Sequence, residues 1–354
     1  MIISLDSFPG RKIKYHSKKH LYFGGTSYLG MQTDSTFQKK YIANFKKYGT
    51  NYGASRIANI QITIYEQIEK YLANWTGSEK TIITSSGYLA GQLLITHFNA
   101  KDYRLFHAPG THSALMQDKN TLYQSYEELK NSLNDFLEMN TKVTPVVFLD
   151  SIDFIGKNYP DFKGLRQLPL QECIVVADDS HGIGILGTEG EGVYRLLLSL
   201  QPKELLVCCS LSKSLGLDGG LIMASETRVD RLKATEFYAG ASPPSPASMA
   251  TLADCKNLYI KKREYLLELI RMFIDGLKYP QKFVYLKRFP VFSFSDDKLT
   301  AYLLKHHILI TDFDYPSGDN LLKSRIVISA AHKKKDIQKL TTCINAYFQD
   351  KKIY

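Results

Sequence analysis

A lysine that closes an apolar run is the most reactive group this sequence offers. In Leu205-Leu-Val-Cys-Cys-Ser210-Leu-Ser212-Lys213 the amine follows a strand-like stretch and precedes glycines at 216, 219 and 220. Burial there disfavours the charged form, and a neutral amine suits carbonyl chemistry through a Schiff base. A second run, Cys173–Ala177, ends in Asp178-Asp179-Ser180-His181, which brings two carboxylates and an imidazole to the strand end where open α/β sheets bind ligands. A third, Thr81–Ser85, turns through Ser86-Gly87-Tyr88 into a helical pattern, and the unpaired amides of a helix start make an anion seat. A fourth, Arg104–His107, leads to Thr111-His112-Ser113, where His112 reads equally as a helix-start cap and as a site residue.

Together the four strand ends have one chemical logic. Pyridoxal 5'-phosphate needs a lysine for its aldehyde, an anion seat for its phosphate, an acid facing its pyridine nitrogen and a planar group over its ring. Lys213, Ser86-Gly87-Tyr88, Asp178 and His112 can supply them. Two competing motifs do not hold up. Gly182-Ile-Gly184-Ile-Leu-Gly187 matches a dinucleotide fingerprint on paper, but polar residues separate it from its strand and it lies in mid-chain. Ser210-x-x-Lys213 spells the S-x-x-K of penicillin-binding proteins, yet it closes a strand and lacks the companion motifs.

The elements that must carry these ends follow from pattern. Between about residues 60 and 225 short apolar runs alternate with helix-period stretches, the signature of parallel strands joined by crossover helices. Strands are predicted at Thr81–Ser85, Arg104–His107, Pro145–Asp150, Cys173–Asp178, Leu205–Ser210 and Leu221–Ala224. Helices are predicted at Ile64–Trp75, Leu89–Phe98, Glu127–Glu138 and Glu226–Lys233. Adjacent prolines at 243 and 244 break the pattern. Beyond them a long helix (Leu252–Leu277), strands at Phe283–Lys287, Val291–Ser295, Ile308–Asp312 and Arg325–Ala330, and a last helix (Lys335–Phe348) suggest a smaller α+β domain. The expected organisation is an N-terminal segment over 1–45, a large, mostly parallel α/β domain over 46–245 and a small C-terminal domain over 246–354.

Composition narrows the function classes. The 354 residues are 44% hydrophobic and 23% charged, the balance of a folded globular chain. The longest apolar runs fall far short of the roughly 18 residues that cross a bilayer, and the start lacks the pattern of a secretory signal, so no membrane association and a cytoplasmic location are expected. Five cysteines without metal spacing predict neither disulfides nor a metal site. A formal charge of +10 is spread over scattered pairs such as Lys39-Lys40 and Lys46-Lys47, which argues for solvated helix faces rather than nucleic-acid binding.

The chain resembles the α-oxoamine synthases, a group of fold-type I pyridoxal-phosphate transferases that includes 8-amino-7-oxononanoate synthase and serine palmitoyltransferase. The resemblance runs from Tyr22 to Phe348. It rests on Tyr28-Leu29-Gly30, Tyr48 to Arg56, Ser86-Gly87-Tyr88, Thr111-His112-Ser113, Asp178 to Gly182, Ser210 to Lys213 and Ser329-Ala-Ala-His332. It implies that Lys213 carries the cofactor and shuttles protons, Asp178 pairs with the pyridine nitrogen, His181 touches the ring oxygen and His112 stacks on the ring. It further implies that Ser210, with Ser212 beside it and the Gly87 and Tyr88 amides, holds the phosphate. A homodimer with active sites at its interface is also implied.

Substrate recognition departs from the family pattern. Thr26 stands where the family has an asparagine, Phe154 where it has a serine, and Ala239-Gly240-Ala241-Ser242 where it has a hydroxyl-rich segment. The stretch expected to hold a carboxylate-binding arginine reads Ile310 to Pro316, with Asp312 and Asp314. Arg56, Arg325 and Thr26 are then the candidate substrate contacts. The expected activity is condensation of an amino acid with an acyl-CoA or a carrier-bound acyl group. An aminotransferase acting on an amine or atypical amino acid is the alternative, and a non-catalytic dimeric binding protein the third reading.

Overall fold

The computed structural model describes residues 2–116, 122–139, 142–154, 156–313 and 324–350. The chain opens with a hairpin, β1 (Lys12–Tyr15) and β2 (Lys18–Phe23), whose turn places His16 and Ser17 at positive φ. Next come α1 (Ser35–Tyr48), α2 (Ile64–Thr76), β3 (Lys80–Thr84), α3 (Gly87–Phe98), β4 (Tyr103–His107), α4 (Tyr126–Met139), β5 (Thr144–Asp150) and β6 (Ile174–Asp178). These lead to α5 (Tyr194–Leu198), β7 (Glu204–Ser210), β8 (Gly220–Ala224), α6 (Glu226–Lys233), α7 (Glu236–Gly240) and α8 (Pro246–Asp254). The remainder is α9 (Lys256–Gly276), β9 (Val284–Tyr285), β10 (Val291–Phe294), α10 (Asp297–Lys305), β11 (Ile308–Asp312), β12 (Ser324–Val327) and α11 (Lys334–Asp350).

These elements form two compact units. One comprises residues 38–153 and 157–256, the other residues 1–37, 154–156 and 257–354. The division therefore falls after Phe37 and Lys256, whereas the expected boundaries were 45/46 and 245/246. The prolines do break the chain, but Pro246 sits in the first turn of α8, where its missing N–H costs nothing. The long helix expected over Leu252–Leu277 is two helices, interrupted at Cys255.

The larger unit is built on a six-stranded sheet in the order β3-β8-β7-β6-β5-β4. Strands β4 to β7 pair in parallel, and β8 runs antiparallel to both neighbours. A short loop joins β7 to β8 with no crossover helix, and a parallel return would need one. On one face Ile82, Phe148, Val176, Leu206 and Ile222 pack against Leu93, Leu94 and Phe98 of α3 with almost no exposure. Burial on both faces explains why these strands read as continuous apolar runs. It also leaves polar side chains to emerge only at the strand ends.

The smaller unit carries a second sheet, ordered β1-β2-β11-β12-β10-β9, in which β2 and β11 are parallel and the other pairs antiparallel. The strand expected over Phe283–Lys287 shrinks to Val284–Tyr285, ahead of the left-handed Arg288. Two motifs distant in sequence meet in this unit. The Ala330 amide donates to the Tyr28 carbonyl at 2.8 Å, and the Ser329 hydroxyl to the Ser27 carbonyl at 2.7 Å. A Cβ at Gly30 (φ +62°) would lie 2.8 Å from the Ala331 backbone nitrogen, so only glycine fits there. His332 accepts the Ser329 amide on Nδ1 and therefore donates from Nε2 to the Tyr22 carbonyl at 2.8 Å, with its ring stacked on Phe23. This histidine is structural.

Candidate active site

The start of α3 is pinned against the ends of β7 and β8. Ser86 is extended and its hydroxyl accepts the Leu89 amide at 3.1 Å, which sets the first turn. The Gly87 and Tyr88 amides have no acceptor among the described residues, as the geometry of a helix start requires. Gly87 is obligatory: a Cβ would fall 2.6 Å from both Cα and Cβ of Ser210. The Ser210 side chain thus lies at the mouth of the helix, 2.7 Å from the Ser212 hydroxyl, and its amide is fixed by the Ser180 hydroxyl at 2.8 Å. Hydroxyls, free amides and a helix dipole together form a seat for a dianion.

Strand alternation separates the two aspartates. Asp178 pairs with Asp150 of β5 and Cys208 of β7, so all three side chains leave the sheet on the face that packs on α3. Asp179 points the opposite way and is almost fully buried. Its carboxylate accepts the Ser151 hydroxyl at 2.6 Å and the Val193 amide at 3.0 Å, and it fills the space that a side chain at Gly182 or Gly192 would need. Burial pushes its carboxyl up to about 7. Asp179 is a brace for the loop after β6. Asp178 accepts the Ser180 amide at 2.7 Å and stays partly exposed at the strand end.

Lys213 Nζ lies 2.9 Å from His181 Nε2. Burial lowers the amine's pKa below the ordinary lysine value, against the opposing pull of Asp178 and Asp150. His112 is both things its sequence position allowed. Its Nδ1 caps the Ala114 amide at 3.1 Å, and the ring sits within electrostatic reach of Asp178 and Lys213, with burial lowering its pKa. The His112 amide in turn donates to Asp150 at 3.0 Å. Ser86, Gly87, Tyr88, His112, Asp178, His181, Ser210, Ser212 and Lys213 therefore all belong to one unit of the fold.

Sequence reasoning passed over Asp150, Ser151 and Ser180 as site residues. A signal for Asp150 existed: two neighbouring apolar runs, Pro145–Asp150 and Cys173–Asp178, both end in aspartate. Ser180 had none, because its role is to bridge the ends of β6 and β7.

The candidate substrate contacts are divided between the two units. Arg56 is ion-paired with Glu69 at 3.1 Å and lies 4.6 Å over the Tyr65 ring, and Glu69 also takes Lys233 at 3.0 Å. This arginine is committed within its own unit. In the smaller unit Arg325 lies 4.8 Å over the ring of Phe154, a residue held at positive φ. Thr26 is exposed and its carbonyl accepts the Tyr28 amide at 2.8 Å. Asp312 accepts the Ser324 hydroxyl at 2.9 Å, and Asp314 lies outside the described residues.

The donor set fits pyridoxal phosphate. A poised amine, a dianion seat that only glycine permits and an acid on the matching face occur together, and folding alone requires none of them. Among the described residues no group of three or more His, Cys, Asp or Glu could hold a metal ion, and no helix is long and apolar enough to cross a membrane. The chain is 26% identical to serine palmitoyltransferase of Bacteriovorax stolpii over 99% of its own length and 87% of that protein's. It is 24% identical to 8-amino-7-oxononanoate synthase of Petrotoga mobilis, covering 95% and 90%. Among solved structures, one of SPT with PLP as its internal aldimine superposes with a TM-score of 0.82 at 20% identity, covering 98% of this chain and 92% of that one. The 8-amino-7-oxononanoate synthase of Francisella tularensis gives 0.71 at 17%, covering 94% and 98%. Both kinds of relative are α-oxoamine synthases, in keeping with the motif resemblance. The family of aminotransferase class I and II matches residues 27–344, and this protein belongs to it as a pyridoxal-phosphate-dependent transferase.

Proposed function

We propose that this transferase works as an α-oxoamine synthase, joining an amino acid to an acyl thioester with release of carbon dioxide and the thiol. The observation that carries the reading is the convergence of Lys213, His181, Asp178 and His112 on the strand ends beside the α3 anion seat. The similarity to serine palmitoyltransferase and 8-amino-7-oxononanoate synthase over nearly the whole chain supports it. So does the excess of basic charge, which suits an acyl-CoA or an acyl carrier protein as donor. We infer a cytoplasmic homodimer with its active sites at the interface.

We infer the following roles. Bound on Lys213, the cofactor supplies an electron sink for bonds at the α-carbon of an amino acid. The Gly87 and Tyr88 amides with the Ser210 hydroxyl would bind its phosphate. Asp178, fixed by the Ser180 amide, would face the ring nitrogen and favour its protonated form. His112, with Nδ1 committed to the Ala114 amide, would turn its ring to the cofactor's face. Lys213 holds or releases a proton at Nζ, and His181 at 2.9 Å shares that proton and orients the amine. Arg56 is taken by Glu69 and is not available to a substrate carboxylate.

One observation favours a second reading. With Arg56 committed and Asp312 in the stretch expected to hold an arginine, an amine or atypical amino acid could be the substrate of an aminotransferase. Supplying the holoenzyme with amino acids and acyl-CoA and assaying free thiol separates the two, because only the synthase releases it. Transamination without thiol release overturns the synthase reading.

A further inference from the structure

Strands β5 and β6 run parallel and in register, with Asp150 opposite Asp178 as the last pair of the ladder. Residues paired this way point to the same face at a strand spacing of about 4.8 Å. Two carboxyls therefore emerge side by side in the cofactor cleft. Each is fastened by one backbone amide: Asp178 by Ser180 of its own loop at 2.7 Å, Asp150 by His112 of the loop after β4 at 3.0 Å. Among the described residues no cation is ion-paired with Asp150.

The titratable groups around Asp150 come from every element packed on it. They are Asp178 on β6, Cys208 on β7, Lys213 in the loop after β7, His112 after β4 and Tyr126 at the start of α4. Burial holds the Cys208 thiol and the Tyr126 hydroxyl neutral. What acts on the Asp150 carboxyl besides burial is the charge of Asp178, the amine of Lys213 and the His112 backbone amide. Burial, reinforced by the Asp178 charge, pushes the Asp150 carboxyl up to about 8, against the His112 amide and Lys213. Like charges at this separation repel, which adds to the burial that keeps the proton on Asp150.

We propose that Asp150 is a positioning residue of the cofactor site, holding a proton so that the pair presents a single negative charge, on Asp178, while its oxygen anchors the loop that carries His112. This rests on the assignments of Lys213 and Asp178 given above. When Asp150 loses its proton, the added charge strengthens proton binding by the group on Lys213. The cofactor's visible absorbance then follows a two-proton curve against pH.

The test is an absorbance titration of the holoenzyme across pH 6 to 10, with borohydride reduction and peptide mapping of Lys213 run in parallel. The parent protein should need two protons to fit its curve. Asp150→Asn should give a one-proton curve whose midpoint is lower by about one unit, a tenfold change in proton affinity. Asp150→Glu should restore the two-proton form. A one-proton curve in the parent, or an Asp150→Asn curve that superimposes on the parent's, overturns the proposal; the first needs no variant to fold. Failure of the reduction to label Lys213 overturns the underlying site reading instead, and the mapping shows which has failed.

Discussion

Gly87 and Ser210 stand so close that a methyl group on the glycine would lie 2.6 Å from the serine's Cα and Cβ. The contact forces the first turn of α3 onto the end of β7, and the anion seat exists only while it holds. Gly87→Ala must push the helix start away or distort the strand end, an overpacking cost of about 1–3 kcal/mol. Cofactor affinity should fall at least about tenfold with the circular-dichroism spectrum unchanged, as measured by equilibrium dialysis. Unaltered affinity would show that the phosphate is not bound there.

Asp178 and Asp179 should behave as opposites despite being neighbours. Asp178→Asn removes a charge from the cleft and little packing, so stability should stay near that of the parent while turnover drops by orders of magnitude. Asp179→Asn leaves the buried Val193 amide or the Ser151 hydroxyl poorly paired, costing about 1–3 kcal/mol in urea unfolding, with the Lys213 attachment retained. Reversal of the two phenotypes would mean that Asp179 faces the ring.

Lys213 should be the one lysine that borohydride fixes to the cofactor. The amine's lowered pKa makes its attachment to the aldehyde reach full rate at a lower pH than for an ordinary lysine. Replacing His181 with Gln should slow attachment while leaving the labelled position unchanged. Peptide mapping that places the label on another lysine sinks the assignment.

His332 gives the smaller unit a sensitivity to acid. Burial drives its pKa to about 4, outweighing the Tyr22 carbonyl and Asp336, which favour the charged ring. Below about pH 6.5 the unfolded chain takes up a proton that the native ring refuses. Stability is therefore lost as pH falls from 6.5 toward 4, by about 3 kcal/mol from this group, and no further below. His332→Gln should flatten that part of the curve of urea midpoint against pH. An equal slope in the variant would remove His332 as the cause.

Arg56 should matter for stability. Arg56→Ala deprives buried Glu69 of a partner and should destabilise the protein by about 3 kcal/mol in urea unfolding. Unchanged stability would show that Lys233 alone satisfies Glu69.

The strands of the larger unit were legible because burial on both faces leaves an apolar run that polarity then cuts off, as at Asp150, Asp178 and Ser210. The helices around them matched within a few residues for the same reason, periodicity being a direct image of one buried face. The reversed direction of β8 was not legible, since a buried strand reads the same both ways. Nor was the partition between units, because β2 and β11 pair across most of the chain and their sequences carry no mark of each other. At the site, the types and spacing of Lys213, Asp178 and His112 pointed to the cofactor before any geometry. The choice between Asp178 and Asp179 needed only the two-residue period of a strand, and that could have been applied from the sequence. The commitment of Arg56 to Glu69 could not, because thirteen residues and a helix start separate them.

The pairing of β2 with β11 also orders events on the ribosome. Residues 38–153 and 157–256 can close their sheet as soon as β8 and α8 emerge. The first hairpin, made earliest, waits for the last hundred or so residues before its outer edge finds a partner. A nascent chain stalled after Lys256 should thus already bind cofactor while still exposing an unsatisfied strand, a natural place for a chaperone to hold it.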